Sequence, residues 1–290
     1  MSVIGGLKRL VPRRFRAAGP VVPVVRLSGT IGAAMPLRPG LSLAGVARIL
    51  DRAFAMPNAK TVAIAINSPG GAPVQSRLIY LRIRQLAAEK KLPVLVFAED
   101  VAASGGYMIA CAGDEIFCDP SSILGSIGVV GGGFGFQDLI KKIGVERRLY
   151  TAGAHKATLD PFLPEQPDDV ARKAIQREIH ATFIALVKQS RGNRLKGSDE
   201  HLFSGEYWAG ETAVALGLAD GIGDLRSVLR ARFGDKVETP LVEPPRGLLS
   251  GLLGRKSGAG GAMLTDGIGG LPDGLISALE ERAMWAKFGL

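Results

Sequence analysis

Runs of apolar residues recur along the first half of the chain, and each is bounded by glycine, proline or polar residues. Short runs rich in Val and Ile are typical of β-strands, and continuous ones are typical of strands buried on both faces. They predict strands at residues 21–27, 61–66, 94–98, 114–118 and 145–150. The strand at 61–66 leads into a sharp loop that contains Gly70 and Gly71.

Segments with apolar residues three and four positions apart lie between and after these runs, and this spacing predicts amphipathic helices. Ser42 precedes the first helix and is a typical N-cap, because its hydroxyl accepts a hydrogen bond from a backbone N–H of the first turn. Pro93 follows the second helix and ends it. A short buried helix is also predicted directly after Ser104. The other predicted helices cover residues 43–56, 74–91, 136–143, 167–189, 210–216 and 225–233.

Strands and helices alternate as far as residue 233, which predicts an α/β domain with a largely parallel sheet. The texture of the sequence divides the chain into three segments. Residues 1–20 form a basic N-terminal segment, and residues 21–240 form the folded domain. Residues 241–290 form a glycine- and proline-rich linker, followed by an amphipathic tail at 272–288 that predicts a short docking helix.

Composition is that of a globular protein, with 290 residues, 47% hydrophobic residues and 22% charged residues. The two cysteines, Cys111 and Cys118, lie inside apolar segments and are predicted to be buried free thiols. No spacing of cysteine and histidine resembles a zinc site, and we expect neither a metal nor another cofactor.

Much of the net charge of +9 lies near the N-terminus. Two interpretations of this basic segment stay open: contact with an anionic membrane surface, or a solvated tail. The basic residues there are Lys8, Arg9, Arg13, Arg14 and Arg16. No apolar run has the length of a signal peptide or a transmembrane helix, so we expect a cytoplasmic protein, peripheral at most on the inner membrane. Scattered basic residues and few aromatic ones argue against nucleic acid as a partner.

Ser104 is a candidate nucleophile, because it stands between a buried strand and a predicted helix. The small neighbours Ala103, Gly105 and Gly106 leave room for a substrate. A helix N-terminus also presents free N–H groups that favour developing negative charge. Taken alone, a serine before two glycines is more often an ordinary cap or turn.

The loop at Gly70 and Gly71 also follows a buried strand, and glycine allows a backbone N–H to face a ligand closely. If this loop faces the Ser104 turn, the N–H groups of Gly71 and Gly105 form a two-donor oxyanion hole. Removal of one such donor typically costs about 3 kcal/mol of transition-state stabilisation. An ordinary strand-to-helix turn is the alternative.

A nucleophilic serine needs a base, and Lys156 and its neighbour His155 compete for that role. A lysine base must be neutral, which requires its pKa to fall from about 10.4 towards 7–8 through desolvation or nearby charge. Asp160 would keep Lys156 protonated at close range, so we expect Asp160 to turn away. The other histidines, His180 and His201, fall within a helix and a polar loop.

Four short motifs, in this order, resemble those of the signal peptide peptidase A (protease IV) family. Each motif is weak alone, but the four together with their gaps are specific, and the resemblance runs from about residue 21 to about residue 233. The motifs are Asn67-Ser68-Pro69-Gly70-Gly71, Ala103-Ser104-Gly105-Gly106-Tyr107, Gly125-Ser126-Ile127-Gly128-Val129 and Gly153-Ala154-His155-Lys156-Ala157.

The resemblance implies a ClpP/crotonase-like fold and a serine endopeptidase with a Ser-Lys dyad. Carried over residue by residue, Ser104 is the nucleophile and Lys156 the general base. Gly71 and the backbone N–H of Gly105 correspond to the oxyanion hole. Ser126 corresponds to the hydroxyl that orients the lysine, a role that a hydrogen-bond acceptor next to an amine can perform.

The resemblance also implies a homo-oligomer, a ring or dome whose lumen admits extended or unfolded peptides. Remnant signal peptides are substrates of the family. We expect this chain to have no N-terminal membrane anchor of the kind that many members carry, so general cleavage of unfolded or apolar peptides is the safer expectation. Whether Lys156 serves Ser104 of its own chain or of a neighbour stays open.

Three alternatives remain at the level of the sequence. A crotonase-like acyl-CoA hydratase or isomerase would use the same paired N–H groups, but it needs a carboxylate in the site and none is evident. A catalytically dead scaffold of the same fold would lack turnover. A histidine-based triad through His155 would replace the lysine.

Overall fold

The computed structural model describes residues 19–32, 40–153, 155–164, 169–243, 279 and 282–290. Nearly all of the predicted basic segment, residues 1–18, lies outside the described residues. The same holds for most of the predicted linker and for the first part of the predicted tail helix, residues 244–278.

A mixed sheet forms the centre of the described chain. Its strands are β1 (Val24–Ser28), β2 (Val62–Ser68), β3 (Val94–Ala103), β4 (Glu115–Cys118), β5 (Ile123–Gly125), β6 (Tyr207–Ala209) and β7 (Gly221–Ile222). The order is β1-β2-β3-β4-β7. All neighbours along this path run parallel, as does β5 against the end of β3, whereas β6 runs antiparallel to β5. The predicted α/β fold with a largely parallel sheet is confirmed.

Helices connect the strands close to the predicted positions. The helices are α1 (Leu43–Phe54), α2 (Pro73–Lys90), α3 (Gly105–Ala110), α4 (Gln137–Lys142), α5 (Asp169–Arg191), α6 (Asp199–Leu202), α7 (Gly210–Ala215) and α8 (Leu225–Phe233). Ser42 is the N-cap of α1, and its hydroxyl accepts a hydrogen bond of 3.3 Å from the N–H of Gly45.

The central strands are buried on both faces, as their continuous apolar runs predict. Val94, Val96 and Ala98 of β3 join the larger core. Leu95 and Phe97 point to the other face, where a smaller core includes Leu229 of α8. Alternate side chains of one strand therefore serve two cores, because successive side chains of a strand point to opposite faces of a sheet.

Strand β3 is longer than predicted and divides between two partners. The sequence predicts its end at Ala98, before two acidic residues, but the strand continues to Ala103. Glu99 pairs with Arg26 at 2.8 Å, and Asp100 accepts a hydrogen bond of 2.6 Å from the side-chain amide of Asn67. Residues 95–98 pair with β4 and residues 101–103 with β5, which brings the chain to residue 104 at a branch of the sheet.

The prediction of a strand at residues 145–150 is wrong. This segment pairs with no strand in the part of the chain that the structure describes, and Tyr150 is 91% exposed. Its charged residues form ion pairs of their own, Arg148 with Glu146 at 2.8 Å and Arg147 with Asp160 at 2.7 Å. Val145 and Tyr150 are residue types common in strands, but without a neighbouring strand to pair with, the backbone forms no ladder of hydrogen bonds.

Cys111 and Cys118 are buried free thiols, as predicted. Burial raises the pKa of Cys111 to about 12 and the pKa of Cys118 to about 11, so both stay protonated at neutral pH. Among the described helices, none combines the length and the apolarity that crossing a bilayer requires.

Candidate active site

Ser104 occupies a sharp turn between β3 and α3. Its backbone has φ +51° and ψ −121°, a conformation that residues other than glycine rarely adopt. The turn is held on the strand side, where the N–H of Ser104 donates to the carbonyl of Gly125 at 2.8 Å. Strain of this kind persists only where the surroundings enforce it, and it is frequent at functional sites.

The loop after β2, which contains Gly70 and Gly71, packs directly against this turn. The oxyanion hole considered from the sequence requires this arrangement. A Cβ added at Gly70 would lie 2.7 Å from the Cβ of Ser104 and 2.9 Å from the N of Gly105. Gly70 also has φ +106°, a conformation that favours glycine. The absence of a side chain at this position lets the two loops come into contact.

Two backbone N–H groups beside Ser104 are available to a ligand. Gly71 and Gly105 line the same cavity as Ser104, and among the hydrogen bonds of the described residues neither N–H donates to a protein acceptor. Gly105 is the first residue of α3, where an N–H has no partner within the helix. Paired donors of this kind bind an oxyanion.

The cavity at Ser104 has a volume of about 520 Å³, within the usual range for ligand pockets. Most of its described lining is apolar or glycine, and Lys287 is the one ionisable side chain among the described lining residues. The lining comprises Pro69, Gly71, Pro73, Ser104, Gly105, Met108, Ser126, Gly128, Val129, Val130, Ile179, Phe183, Ser204, Gly205, Met284, Lys287 and Phe288.

Ser126 lines this cavity from the end of β5. It is 6% exposed, has φ +51° like Ser104, and donates its N–H to the carbonyl of Glu206 at 2.6 Å. Within the described part of the chain, no hydrogen bond involves the hydroxyl of Ser104 or that of Ser126. Both hydroxyls are therefore available to a group that enters the cavity.

Lys156 lies elsewhere in the structure. It is exposed in a run of turns at residues 155–159 and is not among the described residues that line the cavity. Asp160 binds Arg147, whose hydrogen bond is the main reason that the pKa of Asp160 lies below its ordinary value. The structure therefore brings Ser104, Gly71, Gly105 and Ser126 together, but leaves Lys156 apart from them.

The histidines also lie outside the described lining of the cavity. A ring nitrogen of His180 lies 3.0 Å from the carbonyl oxygen of Ile127, and His201 packs edge-on against Trp208. His155 is exposed and neighbours Lys156 in the same turns.

A buried ion pair lies near α3, the helix that begins after Ser104. Arg191 at the end of α5 is fully buried and pairs with Asp220 at 2.8 Å. Burial alone raises the pKa of Asp220, but hydrogen bonds from Arg191 and Ile116 outweigh it and place the pKa below its ordinary value. Beside this pair, the hydroxyl of Tyr107 in α3 donates to the carbonyl of Leu218 at 2.8 Å.

Sequence reasoning missed this pair, because nothing in the local pattern links residues 29 positions apart. It also missed the C-terminal residues Met284, Lys287 and Phe288 in the cavity lining. An amphipathic tail was the only signal, and it does not reveal where a tail docks.

Comparison with known proteins identifies a family that the chain resembles. Residues 86–235 match the model of Peptidase family S49. Over 236 residues the chain is 30% identical to a Synechocystis protein named putative protease slr0021, covering 78% of this chain and 79% of that protein.

Two further relatives differ in sequence identity and in the share of each chain that the similarity covers. A Brucella abortus protein named Na(+)/H(+) antiporter NhaA is 59% identical over 289 residues, which are 99% of this chain but only 39% of that protein. A solved structure of a 1510-N membrane-bound stomatin-specific protease mutant with a substrate peptide aligns with a TM-score of 0.49 and 18% identity, covering 82% of this chain and 97% of that one. The family match and the extended similarity to the Synechocystis protein confirm the resemblance that the four motifs predict: this chain belongs to peptidase family S49.

Proposed function

We propose that this chain is a serine endopeptidase that hydrolyses peptide bonds in extended or unfolded segments, remnant signal peptides among them. The observation that carries the proposal is the strained Ser104 turn, with the N–H groups of Gly71 and Gly105 in one largely apolar cavity. Membership in family S49 supports the same reaction class.

In the proposed reaction, neutral Lys156 takes the proton of Ser104, whose oxygen attacks the carbonyl carbon of the peptide bond. The N–H groups of Gly71 and Gly105 stabilise the oxyanion. Lys156 then protonates the leaving amine, and a water molecule hydrolyses the acyl-enzyme in the same way. Ser126 orients the amine of Lys156 through its hydroxyl.

Since Lys156 is exposed and outside the cavity, we propose that it reaches a Ser104 cavity in a homo-oligomer, across the interface between two copies. The segment that leads to Lys156 exposes several large apolar side chains, among them Val130 at 94% and Phe134 at 81%. Exposure of this extent on a monomer indicates an interaction surface. A second copy of the chain would cover it, and Lys156 would come with it.

The first experiment replaces Ser104 by Ala and measures turnover of an unfolded, fluorogenic protein substrate. We expect turnover to fall to background while the melting temperature stays within a few degrees of that of the parent chain. Turnover at the parent rate in Ser104→Ala would refute the nucleophile. Lys156→Ala, His155→Ala and Lys287→Ala, assayed in parallel, identify the base, and only Lys156→Ala is expected to lose turnover.

A mixing experiment tests the shared site. Ser104→Ala and Lys156→Ala are each expected to be inactive, but subunit exchange would restore about one quarter of the sites in a random equimolar mixture. Half of the subunits carry an intact Ser104, and half of their neighbours carry an intact Lys156. No recovery, under conditions where labelled subunits are seen to exchange, would show that Lys156 serves Ser104 of its own chain.

An acyl-CoA hydratase or isomerase is a weaker candidate, because the described lining of the cavity includes no carboxylate. Incubation with acyl-CoA thioesters separates it from a peptidase, and a serine-directed covalent probe at Ser104 separates both from a dead scaffold. Cytoplasmic location, peripheral contact with anionic membrane and the absence of nucleic acid stay predictions of the sequence. Vesicle co-sedimentation of the full chain tests the contact with membrane.

A further inference from the structure

The C-terminal segment, defined here as residues 282–290, docks beside the Ser104 turn. Residues 282–286 are helical. Phe288 is 9% exposed and packs in a small cluster with Val101 and Ala103, the last residues of β3 before the nucleophile. Ile123 and Trp285 complete this cluster.

Tyr207 of β6 holds the segment by two further contacts. Its ring meets that of Phe288 edge-on, with centroids 5.0 Å apart and an angle of 72° between the planes. Its hydroxyl donates a hydrogen bond of 3.3 Å to the carbonyl of Lys287. Edge-to-face pairs of this kind are favourable beyond the area that they bury. The segment is therefore anchored to the strands that also position Ser104 and Ser126.

This docking places three tail residues in the lining of the Ser104 cavity. Met284, Lys287 and Phe288 share it with apolar side chains of the domain, such as Met108 of α3 and Phe183 of α5. The segment lies outside residues 86–235, which match the family model. A part of the chain remote in sequence from the family motifs thus contributes to the space next to the nucleophile.

We propose that the C-terminal segment is a wall of the substrate subsite and determines which side chains the cavity accepts, an inference that rests on the proposed peptidase function. Met284 and Phe288 limit the size of the apolar space. With this wall in place the apolar space is smaller than without it, so the full chain disfavours a large aromatic side chain such as that of Trp relative to an aliphatic one such as that of Leu. Removal of the wall enlarges the space and relaxes this selection.

The test compares four proteins: the full chain, Phe288→Ala, a chain ending at residue 281, and the control Leu290→Ala. Leu290 is 55% exposed and is absent from the described lining of the cavity. The substrates are peptides that differ only in having Ala, Leu, Phe or Trp at either residue flanking the scissile bond. The measured quantity is the ratio of kcat/KM for Leu to that for Trp.

We expect the full chain and Leu290→Ala to prefer Leu over Trp, and this ratio to fall by about tenfold in Phe288→Ala and in the shortened chain, as a change in pocket size permits. An unchanged ratio in both variants would overturn the inference. An equal rise of kcat/KM for every peptide would also overturn it, because the segment would then obstruct the site without selecting.

Binding separates this inference from the proposed function. Affinities of the same peptides for Ser104→Ala, with and without residues 282–290, are measured by fluorescence polarisation and do not depend on turnover. A chain that cleaves nothing but loses its preference for Leu when shortened would refute the peptidase and retain the wall. Cooperative thermal unfolding of each variant confirms that it is folded.

Discussion

At the scale of single residues, the chemistry near Ser104 follows from backbone positions that most side chains would not tolerate. Ser104 and Ser126 both have φ +51°, and Gly70 comes into contact with the turn at Ser104. The sequence left open whether the glycine loop faces the Ser104 turn. The structure shows that it does, because the loop and the turn follow β2 and β3, two neighbouring parallel strands whose ends meet at one edge of the sheet. The position of Lys156 was beyond such reasoning, since its segment contains no strand that would place it.

Gly70→Ala tests this contact. The new methyl group would displace the Ser104 turn, so we expect kcat/KM to fall by about 100-fold, the scale of a 1 Å misplacement in an active site. Gly29→Ala is the matched control, because Gly29 has nearly the same φ, +109°, and nothing within 4 Å of an added Cβ. Peptide turnover and urea unfolding are measured for both.

If both variants lose the same stability but only Gly70→Ala loses turnover, the contact with Ser104 is the cause. Equal losses of turnover in the two variants would contradict this explanation and leave backbone strain as the common cause.

At the scale of elements, predictions succeeded where a single signal decided the structure. The cap at Ser42 and the helix at 225–233 depend on local hydrogen bonds and on spacing, and both are present. Strand β3 was predicted too short because Glu99 and Asp100 resemble a strand end, whereas Arg26 and Asn67 supply them with partners from distant parts of the chain. The prediction of a strand at 145–150 failed for the opposite reason, since the described part of the chain offers this segment no strand to pair with.

Ser42→Ala is expected to lower the free energy of unfolding by about 1 kcal/mol, because the N–H of Gly45 loses its side-chain acceptor and keeps only the carbonyl of residue 42. Ser42→Asp retains an acceptor at the cap and should stay close to the parent chain. Urea unfolding followed by circular dichroism measures both. A loss of equal size in Ser42→Asp would show that the cap is not what α1 requires.

At the scale of the whole molecule, the domain is held together by contacts between segments that lie far apart in sequence. The ion pair of Arg191 and Asp220 joins α5 to the connection before β7, and it lies next to the hydrogen bond that anchors Tyr107. A buried arginine left without its carboxylate is strongly destabilising, by about 3–5 kcal/mol.

Asp220→Asn should therefore unfold at markedly lower urea than the parent chain at pH 7. The folded state lowers the pKa of Asp220, so its contribution to stability is present above the ordinary pKa of 3.8 and disappears as the pH falls through the lower folded value. The difference between Asp220→Asn and the parent chain should accordingly shrink on acidification below that point.

The control for this comparison is Asp235→Asn. Asp235 forms a surface ion pair with Arg230, and its side chain is 86% exposed. Such pairs contribute about 0–1 kcal/mol, so little change is expected at any pH. A gap between Asp220→Asn and the parent chain that is independent of pH would contradict the assigned role of the carboxylate.

The positive φ of Ser104 has a consequence for what folding alone would favour at that position. Backbone strain at a residue other than glycine amounts to about 1–3 kcal/mol, and glycine relieves it. Ser104→Gly should therefore be more stable than Ser104→Ala and than the parent chain, although neither variant has a hydroxyl to react. The gap in unfolding free energy between the two inactive variants would measure the stability that the molecule forgoes in order to present an oxygen atom at this turn.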